Sequence, residues 1–120
     1  MDTDTYVDAQ NACVCADSAN RISQACAEAM DAMALAGDCA GSASVCHESQ
    51  RVMRRQAREI MQSLLELSKT AAHAAAVAAG SISPTLADAR RMAHVDAGAA
   101  ERNARKCFGI GEQSAQAWGV

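Results

Sequence analysis

The stretch Ala71-Ala72-His73-Ala74-Ala75-Ala76-Val77-Ala78-Ala79-Gly80-Ser81-Ile82-Ser83-Pro84 decides the fold class. Alanine is the best helix former, so Ala71–Ala79 reads as the end of a helix. Gly80 then stops it, Ser83 offers an N-cap oxygen for the next helix, and Pro84 suits a first helical turn. The run is apolar, but alanine partitions weakly into lipid. Nothing else in the chain approaches the roughly 18 strongly apolar residues that a membrane span needs. A helix ends here and another begins, both in a protein that packs against itself.

Working outward toward the N-terminus, the segment ending at Ala79 extends back to Cys39 or Val45. Read as one helix it would be ~60 Å long at 1.5 Å per residue, so a break near 47–50 is the alternative. Before it, Thr3, Asp4 and Thr5 offer N-cap oxygens, and Thr5 with Asp8 has capping-box spacing. The first helix is expected over about 5–36, ended by Gly37, with Asp38 capping the next segment and 37–44 looser. Toward the C-terminus, a helix over about 84–107 is expected to break at Phe108-Gly109-Ile110-Gly111, leaving 108–120 as a tail or short last helix. No strand-like alternation or internal repeat is present. The fold expected is a single all-α domain over 1–120, an up-and-down bundle. It reaches four helices if the second segment splits, or if chains associate.

Composition points the same way. The chain has 29 alanines but only 17 residues of Leu, Ile, Val and Phe together. So few large side chains would suggest disorder were the net charge not only −3. Alanine buries little area, at about 25 cal/mol per Å² of apolar surface, so association or a bound metal is expected to supplement the core. A homodimer or homotetramer is expected, joined through Leu64, Leu65 and Leu67.

The charge balance and a pI near 5.5 leave no electrostatic footprint for nucleic acid. The basic cluster Arg51, Arg54, Arg55 and Arg58 reads as spread around a helix. The acidic start, Met1-Asp2-Thr3-Asp4, is unlike the basic beginning of a signal peptide, which suggests a cytoplasmic protein. No Glu-x-x-His pair supplies a di-iron centre, and Gly109-x-Gly111 lacks the preceding strand of a phosphate loop. His47, His73 and His94 are thinly spread, and no nucleophile–base pairing is signalled locally. An enzyme is not expected.

Six cysteines at this density in a cytoplasmic chain point to metal or redox chemistry before disulfides. Helical spacings of 7 and 11 return a side chain to one face. Cys15 and Cys26 are so related, on a line with Ala12, Ala19, Ile22, Ala29 and Met33. Cys39, Cys46 and Met53 continue through Ile60 and Leu67. Leu86, Ala93, Ala97, Ala100, Ala104 and Cys107 form a third stripe. Five cysteines are thus expected on buried faces, with Cys13 the exception, about 200° from Cys15. Core packing alone accounts for buried thiols, since free cysteine behaves as a small hydrophobe. As a set, Cys15, Cys26, Cys39, Cys46 and Cys107, with Met30 and Met53, are soft ligands suited to Cu(I). Zinc is disfavoured, because closely spaced Cys-x₂-Cys pairs are absent.

The stretches Ala12–Ala29, Asp38-Cys39-Ala40 through Cys46, and His94–Cys107 resemble the copper storage proteins, cysteine-rich four-helix bundles, some of them cytosolic tetramers. That resemblance implies a bundle lined by thiolates that load Cu(I), with Cys15, Cys26, Cys39, Cys46 and Cys107 facing the lumen. The chain departs from the pattern where alanines 19 and 43 and Met30 stand in place of paired cysteines. The function expected is a Cu(I)-binding bundle with a storage or buffering role. The alternative is a structural or protein-interaction bundle that binds no metal.

Overall fold

The computed structural model describes residues 3–43 and 46–120. It holds three helices among the described residues: α1 (Thr3–Ser42), α2 (His47–Gly80) and α3 (Ala87–Trp118). No strand occurs among the described residues. The all-α expectation therefore holds, while the count is three helices rather than four. Cross-contacts fix the topology. Cys13 meets Ala89, Asn20 meets Asn103, and Met33 meets Trp118, so α1 and α3 run parallel. The short connections at 43–46 and 81–86 make α2 antiparallel to both, giving an up-down-up rod of 66 × 18 × 14 Å.

The helix boundaries differ from those expected for identifiable reasons. α1 passes through Gly37 and Asp38 without stopping. A Cβ at Gly37 would lie 2.8 Å from Trp118 Cδ1 and 2.9 Å from the Ala117 Cβ, so this glycine serves close helix approach and not termination. The break lies earlier than 47–50: α2 begins at His47, with Cys46 at its N-cap. Ser44 and Val45 lie outside the described residues. α1 already includes Thr3, which places the Thr5–Asp8 pair inside the helix.

α3 likewise runs through 108–111. Gly111 is buried, and a Cβ there would be 3.4 Å from a Leu65 methyl and 3.5 Å from the Met30 methyl. The true stop is Gly119, left-handed at φ 73. Its N–H bonds to the Gln116 carbonyl, and the Val120 N–H bonds to that of Ala115, as in a Schellman motif. The Gly80 stop holds. Ser83, however, closes a turn over Pro84 and Thr85, with the Leu86 N–H bonded to its carbonyl at 3.0 Å. α3 starts at Ala87, past the expected Pro84.

The core divides along the rod. One end is almost wholly alanine: Ala9, Ala12, Ala16 and Ala19 of α1 pack with Ala71, Ala75 and Ala79 of α2 and Ala93, Ala97 and Ala100 of α3. Ile82 closes that end. The other end holds Cys26, Ala27, Met30, Ala57, Met61 and Cys107, flanked by Met33, Leu64, Leu65, Ile110 and Trp118. Ser23 and Ser68 are also fully buried, the Ser23 hydroxyl donating to the Ser68 carbonyl at 3.3 Å. Small residues let the backbones approach closely, which is how helices with few large side chains still exclude water. No helix of the described residues is long and apolar enough to cross a membrane.

Candidate metal centre

Steps of three and four select the buried face of each helix. On α1 that line is Ala9, Ala12, Ala16, Ala19, Ser23, Cys26 and Met30. On α2 it is Ala57, Met61, Ser68, Ala71, Ala75 and Ala79, and on α3 it includes Cys107, Gly111 and Ser114. The three lines meet at the sulfur-rich end. There α1 supplies Cys26 and Met30 one turn apart, α2 supplies Met61, and α3 supplies Cys107. Met30 and Cys107 are fully buried.

The local geometry is specific. The Cys107 thiol donates to the Cys26 carbonyl at 3.6 Å, which seats it against α1. Burial pushes the Cys26 thiol above the ordinary range. Burial also raises Cys107, and a charge on Cys26 raises it further, while the Ser68 hydroxyl acts in the opposite direction. That hydroxyl is buried beside Cys107 and completes no hydrogen bond. The Ser114 hydroxyl donates to the Met61 thioether at 2.9 Å. Trp118 donates its indole N–H to the Met33 carbonyl at 2.8 Å and covers this end of the rod.

The other expected ligands are not brought together. Cys15, Cys39 and Cys46 are exposed, and Cys13, expected off the core, is half-buried and donates to the Ala89 carbonyl at 3.4 Å. The reason at Cys15 is register: the buried line passes through Ala16 and Ser23, not through Cys15 and Ile22. The line through Cys39, Cys46 and Met53 fails because the helix break separates its members. Cys39 belongs to α1, and Cys46 caps α2. Met53 is half-buried in a separate cleft with Gly37, Arg54 and Trp118.

Met61 escapes the expected line, which runs through Met53, Ile60 and Leu67. The signal that finds it is the three-and-four spacing Ala57, Met61, Leu64, Ser68, Ala71, Ala75. Ile60 and Leu67 themselves are about half exposed, at 49% and 50%. Of the leucines expected to join chains, Leu64 and Leu65 are partly spent on the sulfur-rich core.

His73 and His94 face one groove between α2 and α3, with Glu101. No group of three or more His, Cys, Asp or Glu side chains suited to a metal occurs among the described residues. The buried cluster holds two thiols and two thioethers, donors too soft for hard cations and different from the thiolate and imidazole set that structural zinc favours. Cys46 is a different kind of thiol. It is exposed, its sulfur lies 3.1 Å from the Ser49 hydroxyl, and hydrogen bonding to Ser49 holds it below the ordinary thiol range.

No family model matches the chain, and comparison with curated proteins and with solved structures likewise finds no match.

Proposed function

We propose that the chain is a low-capacity Cu(I)-binding helical bundle, acting as a buffer through one buried site rather than as a bulk store. The single observation that carries this reading is the meeting of Cys26, Met30, Met61 and Cys107 from all three helices in one buried cluster. Cys26 and Cys107 would be the charged ligands, and Met30 and Met61 the neutral ones. Cu(I) when bound would draw on thiolate donation, for which soft sulfur sites are suited. Cys26 and Cys107 must each lose a proton to serve, and their raised affinity for protons opposes that loss. The Ser68 hydroxyl, unpartnered beside the protonated thiol, would donate a hydrogen bond to the Cys107 thiolate once it forms, stabilising the charged form where water cannot. Cys15, Cys39 and Cys46, dispersed on the surface, limit the capacity.

A reducing compartment such as the cytoplasm would keep these thiols free. Association of two or four copies would cover the apolar side chains left exposed, among them Phe108, Met92 and Val95. Those same side chains favour the second reading, a scaffold bundle that docks a protein partner and binds no metal.

Titrating the fully reduced protein against a chromogenic Cu(I) chelator separates the two. The copper reading predicts saturation near one ion per chain. It also predicts weakening on acidification, by about tenfold per pH unit for each proton released. Absence of any competition leaves the scaffold reading.

A further inference from the structure

The end of the rod where α2 begins carries a feature that the sulfur cluster does not use. Arg51, Arg54, Arg55 and Arg58 are separated by steps of three and four, which gather them on one side of α2. With His47 and residues 119–120 they line one open cleft of ≈ 420 Å³. They are therefore not spread around the helix, as the sequence suggests.

Three of them share one cleft without an acid partner, whereas Arg90 and Arg102, which also make no ion pair among the described residues, do not line it. Arg21, Arg91 and Arg105 each close on an acid of their own helix, at 3.2, 2.6 and 2.6 Å. Arg51 barely reaches Glu48, at 3.9 Å. Arg54, Arg55 and Arg58 have no carboxylate partner among the described residues, and Glu59, one turn beyond Arg55, does not close on it. This occurs in a chain whose net charge is −3, so acids are not scarce.

The arrangement also opposes helix stability. Like charges at i,i+3 and i,i+4 repel. A bound anion would relieve that repulsion. Guanidinium forks match phosphate oxygens in bidentate fashion. From Arg51 to Arg58 the helix rises about 10 Å, longer than one phosphate and suited to several in a row.

We propose that this cleft binds a linear oligophosphate, either a free chain of phosphoryl groups or the phosphodiester backbone of a single strand. The site is independent of the copper reading, and either can fail without the other.

The experiment titrates the full-length protein with tripolyphosphate, and separately with a 12-residue oligothymidylate, by calorimetry at low salt. The expected result is saturable binding of at least one probe. Affinity should fall at least tenfold in Arg54→Gln/Arg58→Gln and stay within twofold in Arg91→Gln/Arg105→Gln, which removes the same charge elsewhere. Far-UV circular dichroism checks that both variants keep their helices. Tripolyphosphate binding identifies the free chain as sufficient; binding of the oligonucleotide alone identifies the phosphodiester backbone. Failure of both probes to bind, or equal loss in the two double variants, overturns the proposal.

Discussion

The two ends of the rod solve one packing problem in different ways. At the alanine end, close approach of backbones excludes water, and each buried side chain contributes little area. At the sulfur-rich end the side chains are larger, and glycine takes over the role of making room: Gly37 beneath Trp118 and Gly111 beneath Leu65 and Met30. The buried side chains of the first end are all alanine apart from Ile82. The second concentrates polarisable sulfur and an unsatisfied hydroxyl where water is excluded. Stability and chemistry are therefore unevenly distributed, and the difference is testable residue by residue.

The largest contrast should come from truncation. Met30→Ala removes a fully buried side chain at the sulfur-rich end and should cost about 2–5 kcal/mol in urea unfolding. Ala75→Gly at the other end should cost about 1 kcal/mol, mostly from helix propensity. Equal losses would mean that the two cores are not distinct.

Glycine replacements sharpen the same point through their sign. Gly37→Ala forces a methyl group into Trp118 and Ala117 and should lose about 1–3 kcal/mol despite better helix propensity. At Gly109, nothing lies within 4 Å of an added Cβ, so Gly109→Ala should gain about 0.5–1 kcal/mol. Stabilisation by Gly37→Ala would show that α1 and the end of α3 do not meet as described.

A smaller effect is expected at alkaline pH. Cys26 and Cys107 hold their protons more tightly folded than unfolded. Their contribution is complete below the unfolded thiol value of roughly 8.5 and is lost as pH rises through the higher folded values. Stability should therefore decline above about pH 8.5, and less steeply in Cys26→Ala/Cys107→Ala than in the parent.

The smallest effect is kinetic. Cys46 should react first with a disulfide reagent at neutral pH, and Cys26 and Cys107 last. Ser49→Ala removes the hydroxyl that favours the Cys46 thiolate and should slow that reaction. Labelling followed by peptide mass spectrometry reads the order.

Helix content is legible in the sequence because alanine propensity and the Gly80 stop act locally. The α3 line Ala93, Ala97, Ala100, Cys107 is legible too, since no polar residue interrupts it on the buried face. The α1 and α2 lines are hidden where the core passes through Ser23 and Ser68, polar residues that a search for hydrophobic periodicity skips. Gly37 and Gly111 look like helix breakers because a glycine that ends a helix and one that admits a neighbouring side chain are alike in one dimension. Of the expected ligands, Cys26, Met30 and Cys107 are brought together; Met61 joins them only once the register is known.

The central claim, that the chemistry of this chain resides in the buried sulfur cluster, is tested most directly by partitioning its cysteines. Cu(I) uptake by chelator competition would be compared between Cys26→Ser/Cys107→Ser and Cys15→Ser/Cys39→Ser/Cys46→Ser, both reduced and both helical by circular dichroism. The account predicts that the first variant loses the tight site while the second keeps it near one ion per chain. Retention of Cu(I) by the first, with loss in the second, would place the metal on the surface thiols and contradict the account.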